Sequence, residues 1–500
     1  MEDSLITNCS LFLSLIYPPS PPRFPIIGHM HLLAKYERPW DGFDAIRKQY
    51  GNVVSLQLGS KKCVLVSSMS AIKEVLITRA DAFANRPHFD RYLLIFGGDR
   101  ENSMALCDWS ELHRFRRTLA QNAILPRYGS DLFKHLESCI HTEFSEFIVN
   151  IVNEGEKVLP KLDLLAACYN IFISYLCSQR FDVNDSEFRR QVYGFDFVFW
   201  DINQCYAIDF IPTLEKIGIA RSYLKLLGET CDSLRNYIED KIVKPRLELR
   251  ASNEEHEDEN AEDFLDVILQ HHFENPISFN WQVCMFELGD LLGGNSAVGN
   301  MMMRLLGHLA VNPKCQAAVL NEARSVLARD STAKFIMLKH RVKMPYTEAA
   351  FLETLRIASS PIVPHIATED TVLQDFDIDK DTMIMFNSYH LNTSSQFWED
   401  PKEFNPNRFL VAEQENSDSE SAYRLNKPDY FFPFSFGKRA CLGYKMVSTI
   451  TFMGVTNLVL NFEISANQLN QSKIEEQLAS KGCLALHCDD CFELILTPRV

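Results

Sequence analysis

The sequence lacks a basic excess. Fifty Lys and Arg stand against 66 Asp and Glu, a formal net charge of −16. Phosphate binding needs a basic surface, so this balance argues against nucleic acid as a partner. A cysteine framework is missing too. The 14 cysteines are scattered at Cys9, Cys63, Cys107, Cys139 and onward, which suits a reducing compartment where thiols behave as small hydrophobes. Cys488 and Cys491 form one CxxC with no second pair beside it, and a structural zinc site needs four ligands. Four Asn-x-Ser/Thr sequons, at Asn8, Asn184, Asn392 and Asn470, carry no weight in a cytosol-facing chain.

The N-terminus has no long apolar run and no early positive charge. Leu5 to Tyr17 is apolar but interrupted by Thr7, Asn8 and Ser10, and no Lys or Arg precedes Arg23. A spanning helix needs about 20 apolar residues, and signal and transit peptides carry a basic front. Residues 1–17 are therefore either a short hydrophobic anchor or a frayed terminus. Residues 18–28 hold Pro18-Pro19-Ser20-Pro21-Pro22 and Phe24-Pro25-Ile26-Ile27-Gly28, a stiff, helix-breaking hinge. Residues 29–500 read as one domain.

What is present is enough for a large core: 46% hydrophobic residues, including 35 Phe. Val54, Leu56 and Leu58 alternate with polar neighbours, residues 59–62 turn and Cys63 to Val66 return, which predicts a β-hairpin. Residues 70–360 read mostly as helix. An acidic connector at Glu254 to Asp263 precedes a long apolar helix from about Ser278 to Ala310. Gly289, Gly293, Gly294 and Gly299 interrupt that helix. Glycine costs about 1 kcal/mol in a helix interior, so four of them call for a reason such as a flat ligand close by. Short strands follow near Thr371–Ile384 and around Phe492 to Leu496, and residues 411–425 read as a polar surface insertion. The fold class is mainly α with small β-sheets.

The strongest chemical signal is Phe434-Ser-Phe-Gly437-Lys-Arg439-Ala-Cys441-Leu-Gly443. A thiolate held on iron needs an apolar, hydrogen-bonded cradle that excludes water. Phe434 would wall off the sulfur. Gly437 and Gly443 would allow a tight turn and a close backbone approach, and Arg439 could pair with a carboxylate of the bound group.

Here the sequence resembles the cytochrome P-450 superfamily at every fixed position of its haem-binding pattern. The resemblance implies the P-450 fold, with its long central helix over the haem, haem b (iron protoporphyrin IX) as cofactor and Cys441 as the metal ligand. It covers about residue 18 to the C-terminus. Glu353-Thr-Leu-Arg356 matches the family's ExxR, and Phe404-Asn-Pro-Asn-Arg408-Phe409 supplies the arginine that joins it. The cluster implies a structural lock behind the haem, not a catalytic group. The proline-rich stretch is similar to the hinge after the membrane anchor of microsomal members, which implies the cytosolic face of the endoplasmic reticulum membrane. Trp109, His113, Arg116 and Arg117 fall on one face if helical. Arg117 is the chosen propionate partner against a solvated arginine, and His365 a partner for the other propionate against a satisfied surface histidine.

One stretch departs from the family. Where most members carry a small residue, Gly, any residue, an acid and Thr, this chain has Gly293-Gly294-Asn295-Ser296-Ala297. The acid and threonine that deliver protons to oxygen are absent. Gly294, Asn295 and Ser296 become the candidate oxygen-site residues, with ordered water or a substrate hydroxyl as further routes. Two stretches, Gly97 to Ser110 and Gly293 to Asn300, are similar to the spook-type enzymes of the insect Halloween group, which act early in ecdysteroid synthesis from 7-dehydrocholesterol. That implies a sterol monooxygenase using O2 and electrons from NADPH–cytochrome reductase, with Lys438, Arg439 and Lys445 helping to dock the reductase. A haem-thiolate isomerase or dehydratase, a monooxygenase of another apolar substrate, or a haem-binding sensor stay open. Phe195, Phe197, Phe199, Trp200, Tyr206 and Phe210 suit either a large apolar ligand or ordinary core.

Overall fold

The computed structural model describes residues 16–124, 126–252, 261–413, 423–479 and 483–499. The N-terminal segment falls outside these residues except for Ile16 and Tyr17, as do most of the acidic connector and the middle of the 411–425 insertion.

The alternating stretch forms the expected hairpin, Val53–Leu58 paired antiparallel with Lys61–Val66. Its second strand also pairs in parallel with Met383–Phe386, which pairs in turn with His365–Ile366. A second sheet joins Phe462–Ser465, Leu494–Pro498 and Lys157–Leu159. Two further two-stranded sheets pair Thr371–Leu373 with Phe376–Ile378 and Leu410–Ala412 with Tyr423–Leu425, and most of the remainder is helical. The helices that position the site are α1 (Glu111–Ile124), α2 (Lys161–Cys177), α3 (Ser186–Ile202), α4 (Trp281–Leu292), α5 (Gly294–Val311), α6 (Pro345–Ala358) and α7 (Tyr444–Asn461). The thirteen described cysteines are free thiols.

The apolar run expected as one helix from Ser278 to Ala310 is two helices. Asn280 caps the first by accepting from Val283 N at 3.0 Å, which moves the start to Trp281. The run breaks at Gly293 between α4 and α5, and Pro313 begins a new helix beyond Val311. The glycines serve different ends. A Cβ on Gly299 would lie 2.4 Å from Leu165 of α2, so that glycine permits a close helix–helix contact and needs no flat ligand. α5 is buried on nearly every side, packed among α2, α6 and α7, as a helix apolar all round must be.

Trp109 does not share a helix face with His113, Arg116 and Arg117, because α1 begins at Glu111 and Trp109 lies in the loop before it. Among the described residues no helix is long and apolar enough to cross a membrane.

Candidate active site

The loop before α7 is shaped by one glycine. Gly437 has φ +70°, and a Cβ there would lie 2.1 Å from the Leu76 carbonyl oxygen, so only glycine fits. Six residues on, at the N-cap Gly443, the chain runs into the α7 N-terminus. Cys441 N donates to Phe434 O at 2.9 Å, closing the loop. Cys441 lies deep in the protein, yet its side chain opens onto an internal space. Burial pushes the thiol pKa up, while the N–H groups of Gly443 and Tyr444 and the charge of Arg117 push it down. Burial prevails and the thiol pKa is raised, while these three influences, with the positive end of α7, limit the rise. A Cβ on Gly443 would meet no protein atom, so that flank of the sulfur is open to a bound group.

Positive charge without a counterion surrounds the cysteine. Arg439 is 5% exposed and donates to Ala84 O at 2.9 Å and Cys107 O at 2.8 Å. Arg117 donates to Ala440 O at 2.7 Å. Arg86, from the segment before the first signature stretch, donates to the Ala105, Val363 and Pro364 carbonyls at 3.0–3.1 Å. Among the described residues no carboxylate pairs with any of the three. Burial lowers the pKa of each, to about 9 for Arg86 and about 10 for Arg117, and Arg439 lowers both further. Two buried guanidiniums and the half-buried Arg117 acting on one another are costly unless an anion joins them. His365 adds a fourth group: Nδ1 lies 2.7 Å from Phe83 O, and the buried Nε2 has no partner. This donor set fits a group that carries carboxylates beside an iron ligated by sulfur.

Arg439 is therefore no docking residue, because its guanidinium is committed inside the fold. Of its two neighbours, Lys438 pairs with Asp81 and Lys445 is exposed. His113, four residues before Arg117, sits beneath Arg439 with Nε2 at 2.8 Å from Met104 O. Arg116 points elsewhere, into a fully buried ion pair with Glu287.

Behind the loop, Arg356 donates to both oxygens of Glu353 at 2.7 and 2.8 Å. Arg408 Nε and Asn405 N reach Glu353 Oε1, each at 3.0 Å. Remaining guanidinium donors go to the carbonyls of Asn392, Pro401, Glu403 and Asp400. Glu353 and Arg356 are wholly buried, and every charge finds partners. The Glu353–Arg356 pair has no exposed surface, and Arg408 closes it from the half-buried side.

The broken central helix presents one accessible stripe. Asp290, Gly293, Gly294 and Ala297 keep accessible surface amid buried neighbours, and their three- and four-residue spacing puts them on one face. Asn295 and Ser296 are 0% exposed and off this stripe. Asn295 Nδ2 donates to Leu292 O at 2.7 Å, while Asn295 Oδ1 and Ser296 Oγ have no partner. Of the three candidate oxygen-site residues, only Gly294 lies on the open face. Sequence reading passed over Asp290, Glu287 and Arg86. Two acids in an otherwise apolar helix were the available signal for the first pair; nothing local marked Arg86.

Comparison with known proteins agrees with this geometry. Residues 18–486 match the family model described as "Cytochrome P450". Cytochrome P450 307a1 of Drosophila melanogaster is 37% identical over 516 aligned residues, covering 100% of this chain and 92% of that protein. Cytochrome P450 2J2 of Homo sapiens is 29% identical, covering 89% of this chain and 85% of its own length. Cytochrome P450 2U1 of Mus musculus is 27% identical, covering 89% and 84%. A cysteine loop backed by uncompensated arginines, on a mainly helical body that matches this family nearly end to end, places the chain in the cytochrome P450 family of haem-iron monooxygenases.

Proposed function

We propose that this chain oxidises a sterol early in ecdysteroid synthesis, with haem b as cofactor, O2 as oxidant and NADPH–cytochrome reductase as electron donor. The observation that carries the sterol reading is the 37% identity with cytochrome P450 307a1 along the whole chain, together with the two stretches similar to spook-type enzymes. Phe195 adds apolar surface at the break, 3.5 Å from where a Gly293 Cβ would be.

When bound, haem supplies the activation of O2 that lets one oxygen atom enter the substrate. Cys441 would give its sulfur to the iron, with Phe434 and Gly437 shaping the loop and Gly443 leaving the flank open. Arg117 and Arg439 would meet the propionates, with Arg86 adding charge beside them. His365 has its Nδ1 committed to Phe83 O, so Nε2 can donate to a propionate only if the ring takes a second proton. Burial beside Arg86 and Arg439 opposes that proton, and a carboxylate at Nε2 would favour it.

A membrane surface suits the apolar groups around the hinge. Phe24 is 56% and Ile26 83% exposed, the latter at φ +65°, an uncommon conformation for a β-branched residue. Gly59 N donates to Ile27 O at 3.3 Å and Ser60 N to Phe210 O at 2.8 Å, which brings the hinge beside the segment leading to Ile217 and Ile219, 53% and 86% exposed. Two exposed apolar segments on one region favour contact with the endoplasmic reticulum membrane from its cytosolic side.

The test is product analysis of 7-dehydrocholesterol incubated with enzyme, reductase, NADPH and isotopically labelled O2. A sterol product formed only with NADPH and O2 supports the reading. Product formed without either moves the chain to isomerase chemistry, and no product with this sterol overturns the substrate.

A further inference from the structure

Two carboxyl groups stand three residues apart on α4, and one guanidinium serves both. Arg116 Nε donates to Glu287 Oε2 at 2.6 Å, with the pair 1% and 0% exposed in their side chains. Its other donors go to Glu101 O at 3.1 Å and Asn102 O at 2.7 Å, so Asp290 receives its charge but none of these hydrogen bonds. Asp290 Oδ2 instead accepts from Met104 N at 2.6 Å, with the Ser103 hydroxyl also bonding the carboxyl. Glu287 Oε1 is buried and has no partner.

The charges do not balance locally. Two ionised carboxylates would face one arginine, Glu287 with no exposed surface, and its Oε1 would lack a donor. A proton retained by the pair removes both difficulties. Burial pushes Glu287 up to about 7, where Arg116 lowers and Asp290 raises it, and pushes Asp290 up to about 6 against Met104 N–H, Arg116 and Ser103. The groups facing the pair are Arg116 from α1 and Met104 and Ser103 from the loop before it; the Cys107 thiol also acts on Arg116.

The pair's position gives the proton a use. Asp290 is the one titratable group on the accessible stripe, one turn before Gly294. Ala297 has no hydroxyl, and Ser296 is buried off the stripe. The contacts also join the two stretches set apart in the sequence: residues 97–110 supply Glu101, Asn102, Ser103 and Met104, and α4 leads directly into residues 293–300.

We propose that Asp290 and Glu287 share one exchangeable proton, which Asp290 releases into the internal space at the Gly293 break and water restores. This rests on reading that space as the oxygen site of a monooxygenase. In the overall reaction a C–H substrate, O2, NADPH and H⁺ give the alcohol, water and NADP⁺. Two electrons arrive from NADPH, and two protons are needed to cleave the O–O bond. For each, the Asp290 O–H bond breaks to leave a carboxylate beside that of Glu287, and a proton from water at the accessible Asp290 side then reloads the pair before the next transfer. Arg116 is a positioning residue that holds Glu287 and limits the resting pair to one negative charge.

The experiment uses holoprotein as wild type, Asp290→Asn and Glu287→Gln. Infrared pH titration should show a protonated carboxyl C=O band near neutral pH in the wild type that either substitution removes or shifts. With 7-dehydrocholesterol, reductase and NADPH, Asp290→Asn should form about 100-fold less product per NADPH and release more peroxide, with an unchanged carbon monoxide spectrum. Asparagine still offers an oxygen to Met104 N, so a purely structural role predicts wild-type coupling. Wild-type coupling in Asp290→Asn, or no protonated carboxyl that responds to either change, overturns the proposal. If wild type makes no product from this sterol, the substrate reading fails and the infrared titration still decides whether the proton is shared.

Discussion

Arg356 grips Glu353 with two parallel hydrogen bonds, 2.7 and 2.8 Å long, between side chains with no exposed surface. The arrangement follows from i,i+3 spacing on α6, which puts both on one helix face. The third member, Arg408, comes from 55 residues beyond Glu353 and ties the following loop to the helix.

Glu353→Ala removes the one carboxylate between two arginines. Arg356 would remain buried with a stranded charge, at a cost of about 3–5 kcal/mol. The variant is expected not to accumulate as folded holoprotein, measured as soluble yield and haem content. Normal folding with full haem content would show that the network is dispensable.

Cys441→Ser replaces the sulfur by a hydroxyl in the same turn. Because Gly437, not the cysteine, forces the loop geometry, the fold should persist. The reduced carbon monoxide complex should lose its thiolate-type absorbance. A retained thiolate spectrum would assign the iron to another cysteine.

Arg117→Leu separates two effects of the arginine cluster. Losing one of three mutually repelling charges should leave the thermal stability of the haem-free chain unchanged or raised. Haem retention should weaken by about tenfold or more, as a charge-assisted hydrogen bond is worth about 1.5–3 kcal/mol. Transfer of haem to an apo-globin acceptor measures the second, and thermal unfolding the first. Equal haem retention would remove Arg117 from the propionate site.

His308 stacks on Phe404 at 4.2 Å between ring centroids, and burial, then Arg304 and Arg356, push its pKa down to about 3. The folded form is neutral while the unfolded histidine protonates below about 6.5. Stability is thus present above that unfolded value and declines as pH falls through it, by about 1.4 kcal/mol per pH unit until the folded value is reached. Urea unfolding at pH about 6.5 and about 4.5 should show a loss that His308→Leu reduces by up to about 2 kcal/mol. An identical pH slope in both proteins would rule out this source of acid sensitivity.

The cysteine loop and the ExxR pair were legible because each is local. Gly437 is required by a backbone conformation, and Glu353 and Arg356 share a face through helix geometry alone. The hairpin was legible for the same reason, from alternation and a turn. The central helix was legible in part. Its apolar length and the interrupting glycines were readable, but the division into two helices and the stripe that faces inward were not, and the candidates Asn295 and Ser296 lie off that stripe.

The amino-acid sequence by itself determined the thiolate loop, the locked helix behind it and the family, since these depend on residues within a few turns of one another. Tertiary structure alone decided which charges surround the sulfur and which acid faces the inner space. Arg86 reaches Val363 across 277 residues, and Met104 meets Asp290 across 186. Such pairs have no shared periodicity to reveal them. They are selected by burial, where a charge left without a partner costs more than the fold can spare.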